Sequence, residues 1–134
     1  MENASPLHEV LYVSTLSPDS PVKVVSQIAA KARLANEASG TTGLLVFDGM
    51  RFCQQIEGPR KAVLALTERI LLDPRHVNVE ILHHGPLRER RFRRFSPGYV
   101  VTDDVDVLGR MQEAGPEQAM AQFLALLPSI DLDS

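Results

Sequence analysis

Asp48-Gly49-Met50 stands between two short strand-like runs, residues 42–47 (TGLLVF) and 51–57 (RFCQQIE). An Asp-Gly pair supplies the positive φ angles of a tight hairpin, so the two runs are antiparallel neighbours in one sheet. The rest of the chain has to be arranged around that pair. Residues 9–14 (EVLYVS) read as an earlier strand rich in β-favouring side chains. Residues 21–39 read as a helix, with Pro21 suited to a first turn and Gly40 to the position just past the end. On it Val24, Val25, Ile28, Ala29, Ala32, Ala35 and Asn36 recur at spacings of three and four and share a face. A second helix follows Gly58-Pro59 to about Leu72, with Val63, Leu64, Leu66, Ile70 and Leu71 as its apolar side. Residues 77–82 and 94–102 are two more strands, the latter despite Pro97. Residues 105–127 form one or two helices broken near Gly115-Pro116.

The order β-α-β-β-α-β, then an extra strand and C-terminal helices, predicts an α+β, ferredoxin-like fold. Its sheet is mixed but mostly antiparallel, and both main helices lie on one face. With 134 residues, 44% of them apolar, the chain fits a single domain spanning residues 1–134 with one sizeable core. Within it we expect a core at 8–100 and a helical cap at 105–128. A formal charge of −3 argues against a general nucleic-acid binder. The one cysteine, Cys53, rules out an intramolecular disulfide and suits a reducing, cytoplasmic compartment. No apolar run approaches the ~20 residues that cross a bilayer, and the polar start does not read as a signal peptide.

Alternation along residues 51–57 puts Phe52, Gln54 and Ile56 on one face and Arg51, Cys53 and Gln55 on the other. The first face should meet the helices, with an amide in its middle. Tyr12 shares the corresponding face of the first strand with Val10 and Ser14. A buried amide left without partners costs about 1–3 kcal/mol, and one phenol cannot satisfy all of its donors and acceptors. Two readings stay open at this point. Either Gln54 bonds backbone and Tyr12 fills the gap, or a flat guest sits against the small residues Ala29, Ala32 and Ala35.

At these residues the chain resembles the BLUF family, sensors of blue light that use FAD. The resemblance rests on Leu11-Tyr12-Val13-Ser14, on the run from Asn36 through Gly40-Thr41-Thr42-Gly43 to Leu45, and on Phe52-Cys53-Gln54-Gln55-Ile56-Glu57-Gly58-Pro59. It continues with Arg69-Ile70-Leu71-Leu72-Asp73-Pro74-Arg75-His76 and Arg91-Phe92 before Phe95-Ser96, and covers roughly three quarters of the chain. The resemblance implies a photoreceptor rather than an enzyme. FAD would be its cofactor, with the isoalloxazine ring between the two helices and its polar edge facing Tyr12 and Gln54, the photoactive pair. After excitation the family's tyrosine passes an electron and a proton toward the flavin and recovers them, and its glutamine is left rotated or tautomerised. Cofactor-binding positions implied in the same way are Tyr12, Ile28, Asn36, Phe52, Gln54, Arg69, Asp73 and His76. Asn36 would meet the pyrimidine edge, and Arg69, Asp73 and His76 the far end of the ring and the tail.

Three positions depart from the family pattern. Ala35 replaces the first of two consecutive asparagines, Thr41 replaces the usual isoleucine, and Phe95-Ser96-Pro97 stands where a tryptophan, serine and methionine are common. The chain has no tryptophan at all. The alternative is therefore a degenerate member that binds FAD weakly or not at all and acts as a protein-interaction module.

Other constellations carry less. His83-His84 lacks a completing ligand set, so no metal is expected. The arginines of residues 88–94 are either a solvated loop or a contact for an acidic partner. No phosphate loop, nucleophile elbow or Cys/His pair suggests an enzyme. Leu11, Val13, Leu45 and Phe47 are expected on the sheet face away from the main helices. The C-terminal helices (Ala119, Phe123, Leu124, Leu127) or another subunit would cover that face. A homo-oligomer built on a dimer, signalling to an unidentified downstream protein, is the expected assembly.

Overall fold

The structure is a computed structural model that describes residues 6–21, 23–100, 107–125 and 130–132. Strands β1 (Leu7–Leu16), β2 (Thr42–Phe47), β3 (Arg51–Pro59), β4 (His76–Leu87), β5 (Phe95–Val100) and β6 (Ile130–Leu132) form one sheet. Its helices are α1 (Val24–Ser39), α2 (Arg60–Leu72), α3 (Val107–Glu113) and α4 (Pro116–Ala125). The strand order is β4-β1-β3-β2-β5-β6, antiparallel throughout except between β2 and β5. This is the expected α+β ferredoxin-like arrangement, a split β-α-β-β-α-β core extended at the β2 edge.

Local chemistry sets the element ends. The β2–β3 hairpin closes on the side chain of Asp48, whose Oδ1 accepts from the backbone N–H groups of Met50 (2.9 Å) and Arg51 (2.7 Å). Helix α1 stops at Gly40, which takes a left-handed φ of 74° and lets Thr41 N–H donate to the Asn36 carbonyl at 2.8 Å. The helix begins at Val24 rather than Pro21, because Pro21 supplies the carbonyl of a preceding turn that accepts from Val24 N–H. Gly43 is required where β2 meets β3: a Cβ there would stand 1.9 Å from the Gln55 carbonyl oxygen.

The sheet has packed interiors on both faces. On one, α1 covers Leu45, Phe47, Phe52 and Phe95, and α2 covers Val10, Tyr12 and Ile56. On the other, α3 and α4 bury Leu11, Val13, Leu44, Val46 and Cys53 under Leu108, Met111, Ala119 and Phe123, with Leu124 packed alongside. The C-terminal helices thus cover the second face themselves; Leu127 lies outside the described residues.

Three sequence expectations are corrected here. Leu45 and Phe47 belong to the α1 side, because the β2–β3 register sets them directly across from Gln54 and Phe52, and opposed residues share a face. Leu44 and Val46 take the places assigned to them. Leu64 and Leu71 of α2 are 43% and 51% exposed, since only the Val63–Leu66–Ile70 stripe reaches the sheet. Strand β4 runs on to Leu87, and β6 was not anticipated.

Candidate functional site

β1 and β3 are paired so that Tyr12 stands across from Gln54. Both side chains point to the helix face, and both are buried, at 1% and 3% exposure. Tyr12 Oη donates to Gln54 Oε1 at 2.5 Å. Burial, with smaller contributions from Cys53 and Asp73, pushes the phenol above its usual pKa, so it stays protonated and remains a donor. Gln54 still has its amide N–H donors to place.

A cavity of about 210 Å³ opens beside this pair. Its walls are Ile28, Lys31, Ala32 and Ala35 of α1, Leu66, Arg69 and Ile70 of α2, Leu45 of β2, and the Asp73–His76 turn. The small side chains of Ala32 and Ala35 leave space in front of α1 unfilled, which makes a slot between the helices rather than a filled core. Ligand pockets that enclose whole molecules run to about 300–1,000 Å³, so this one suits the flat part of a larger ligand whose remainder lies outside. Lys31 and Arg69 provide cationic groups on its wall.

The turn after α2 is rigidly built. Asp73 Oδ1 accepts from the Arg75 backbone N–H (3.0 Å) and Nε (3.0 Å), and Oδ2 accepts from Arg75 Nη2 (2.7 Å). That fork holds the Asp73 carboxyl below the usual carboxylate range, against burial. His76 comes next, 7% exposed, with Nδ1 2.9 Å from Ser14 Oγ. Its ring lies 4.7 Å from that of Phe52 and 6.2 Å from that of Tyr12. Burial lowers its pKa, with Asp73 pulling it up and Arg75 pushing it down.

Of the residues singled out from sequence, the cavity brings together Tyr12, Ile28, Gln54, Arg69, Asp73 and His76. Phe52 stands behind the wall, packed on Phe47 at 4.9 Å between ring centres. Asn36 lies one helical turn beyond Ala32. It is 1% exposed, and neither its Oδ1 nor its Nδ2 has a hydrogen-bond partner among the described residues. A buried carboxamide with both ends unmet, on the helix face that forms the slot, is the mark of a site shaped for a polar-edged guest. Sequence reasoning gave no role to Lys31 or Arg75 and set Leu45 on the opposite face of the sheet. Lys31 was accessible to it, three residues after Ile28 and four before Ala35; Arg75 acts through the fold of its turn.

Comparison with known proteins agrees with this geometry. Residues 7–98 match the family profile "Sensors of blue-light using FAD". The blue light- and temperature-regulated antirepressor BluF of Escherichia coli is 36% identical over 86 residues, 64% of this chain and 21% of that protein. Photoactivated adenylate cyclase subunit beta of Euglena gracilis is 36% identical over 84 residues, 63% of this chain and 10% of that protein. This chain therefore spans about a fifth of the first relative and a tenth of the second. Among solved structures, BlrB, a BLUF protein in its dark state, superposes with a TM-score of 0.76 at 31% identity, covering 93% of this chain and 97% of that one. BlrP1 of Klebsiella pneumoniae, with FMN and cyclic diGMP, superposes at 0.63 with 34% identity over 66% of this chain and 24% of that one. This chain belongs to the BLUF family, the sensors of blue light using FAD.

Proposed function

We propose that this chain is a blue-light photoreceptor that holds FAD in the slot between α1 and α2 and turns over no substrate. The observation that carries the reading is a bonded Tyr12–Gln54 pair on the wall of one ring-sized cavity, with the unmet carboxamide of Asn36 next along α1 from the lining residue Ala35. When bound, FAD supplies the blue-light absorption and a ring that takes up an electron and a proton reversibly.

The chain's own groups do the rest. Tyr12 holds its proton at Oη and directs it to Gln54. Gln54 is both donor and acceptor, so a turn of its amide exchanges which end meets Tyr12 and which meets the cavity. Asn36 meets the ring edge, Ile28 and Phe52 support the ring, and Lys31, Arg69 and the Asp73–His76 turn attend the tail. The apolar walls keep water from the pair, which strengthens its hydrogen bonds.

Ala35, a methyl group on the cavity wall, favours the second reading, a flavin-poor relative that works as an interaction module. An absorption spectrum of protein supplied with FAD, before and after blue illumination, separates the two. A yellow protein whose band moves reversibly to longer wavelength supports the sensor, and a colourless one supports the module. Tyr12→Phe should bind flavin and fail to shift; a normal response would show that Tyr12 is not the donor.

We further read the chain as one functional unit, a core over residues 8–100 with its cap over 105–128. We take it to be cytoplasmic and, with a homodimer as the building block, to signal by contact with a downstream protein. Among the described residues no helix is long and apolar enough to cross a membrane.

A further inference from the structure

Strand β3 turns Gln54 toward the cavity and Gln55 toward the opposite face, where Gln55 is completely buried. On that face the β1–β3 register sets Glu9 directly across from Glu57. Both carboxylates are buried, at 3% and 0% exposure. Like charges opposed across a ladder repel, and buried ones need donors. Gln55 Nε2 donates to Glu9 Oε1 at 2.7 Å and to Glu57 Oε2 at 3.4 Å. His83 Nε2 of β4 lies 3.1 Å from Glu9 Oε2, and Thr42 Oγ1 donates to Glu57 Oε1 at 3.3 Å. The connection between β4 and β5 adds Arg91 Nε to Glu9 Oε1 at 3.1 Å and Phe92 N–H to Glu57 Oε1 at 2.7 Å. The arginine-rich segment is thus fastened inward at Arg91 rather than wholly solvated. Gln55 Oε1 has no hydrogen-bond partner among the described residues, so the amide is held on its donor side alone.

We propose that Gln55 is a positioning residue for the light response. A change at Gln54 moves β3, shifts the neighbouring Gln55 amide between Glu9 and Glu57, and so unseats the segment that carries Arg91 and Phe92. The inference rests on the flavin reading above. It gives this chain a route through the sheet that needs no tryptophan on β5, and the chain has none.

Phe92 N–H is the reporter, since its exchange with solvent requires the bond to Glu57 to open. Hydrogen exchange would be followed on the FAD-supplied full chain, in darkness and under blue light, with the absorption spectrum recorded on the same samples. Wild type should exchange at Phe92 about tenfold faster in light, the factor expected from weakening one hydrogen bond to a charged group. Gln55→Leu should keep the spectral shift and lose the light–dark difference. Gln55→Asn, which retains the amide on a shorter stem, should behave in the same way and serves if the leucine variant does not fold. A merely structural Gln55 would raise exchange equally in both conditions and preserve the ratio, which overturns the proposal. A coloured, shifting wild type with unchanged Phe92 exchange overturns the relay alone. A colourless protein overturns the flavin reading and the relay with it.

Discussion

Replacing Asn36 with leucine should move stability and cofactor affinity in opposite directions. The side chain is 1% exposed, and its Oδ1 and Nδ2 meet nothing among the described residues. An unmade bond at a buried polar group costs about 1–3 kcal/mol, so an apolar side chain of similar size should stabilise the flavin-free protein by about 2 kcal/mol. With a urea dependence of about 1–3 kcal/mol per molar, the unfolding midpoint rises by roughly 1 M. Helix α1 keeps its ending, because the bonds from Thr41 N–H (2.8 Å) and Ser39 Oγ (3.2 Å) go to the Asn36 backbone carbonyl. The same 2 kcal/mol is lost when flavin binds, which weakens affinity about 30-fold. Urea denaturation followed by circular dichroism gives the first quantity, and flavin fluorescence titration the second. Lower stability of the flavin-free variant, or unchanged affinity, would refute the idea that Asn36 is kept for a guest.

Two further outcomes follow from the packing. Gly43→Ala should destabilise the fold by about 3 kcal/mol or more, read by thermal or urea unfolding, because the added methyl meets the Gln55 carbonyl and the residue's φ is 148°. Stability should also fall as pH drops below the ordinary histidine value of about 6.5. Burial depresses the folded-state pKa of His76, so the unfolded chain takes up that proton first and the slope runs from there down to the folded value. His76→Phe should flatten that part of the profile, and an unchanged slope would assign it to another group.

The sequence disclosed most where chemistry and periodicity coincide. Asp48-Gly49 and Gly40 mark a turn and a helix end because few other residues fit those backbones. Tyr12 and Gln54 stand out because a polar group interrupts an apolar alternation. Leu44-Leu45-Val46-Phe47 offers no such interruption: every side chain is apolar and both faces are buried, so parity comes only from the register with β3. The outward turn of Leu64 and Leu71 was hidden for a related reason, since a broad apolar helix side does not say which stripe meets the sheet. Arg75 and the Glu9–Gln55–Glu57 group depend on contacts between distant segments, and β6 is three residues long. None of these leaves a local pattern.

The sheet is a one-layer wall with a separate interior on each side. Substitutions beneath the C-terminal helices, such as at Leu108 or Phe123, share no packing partner with the flavin slot and should add independently to changes made around it. β1, β2 and β3, whose alternate side chains enter both interiors, tie the two together. A lineage or an engineer can therefore rework the output side freely while leaving colour and photochemistry as they were, provided those strands are spared.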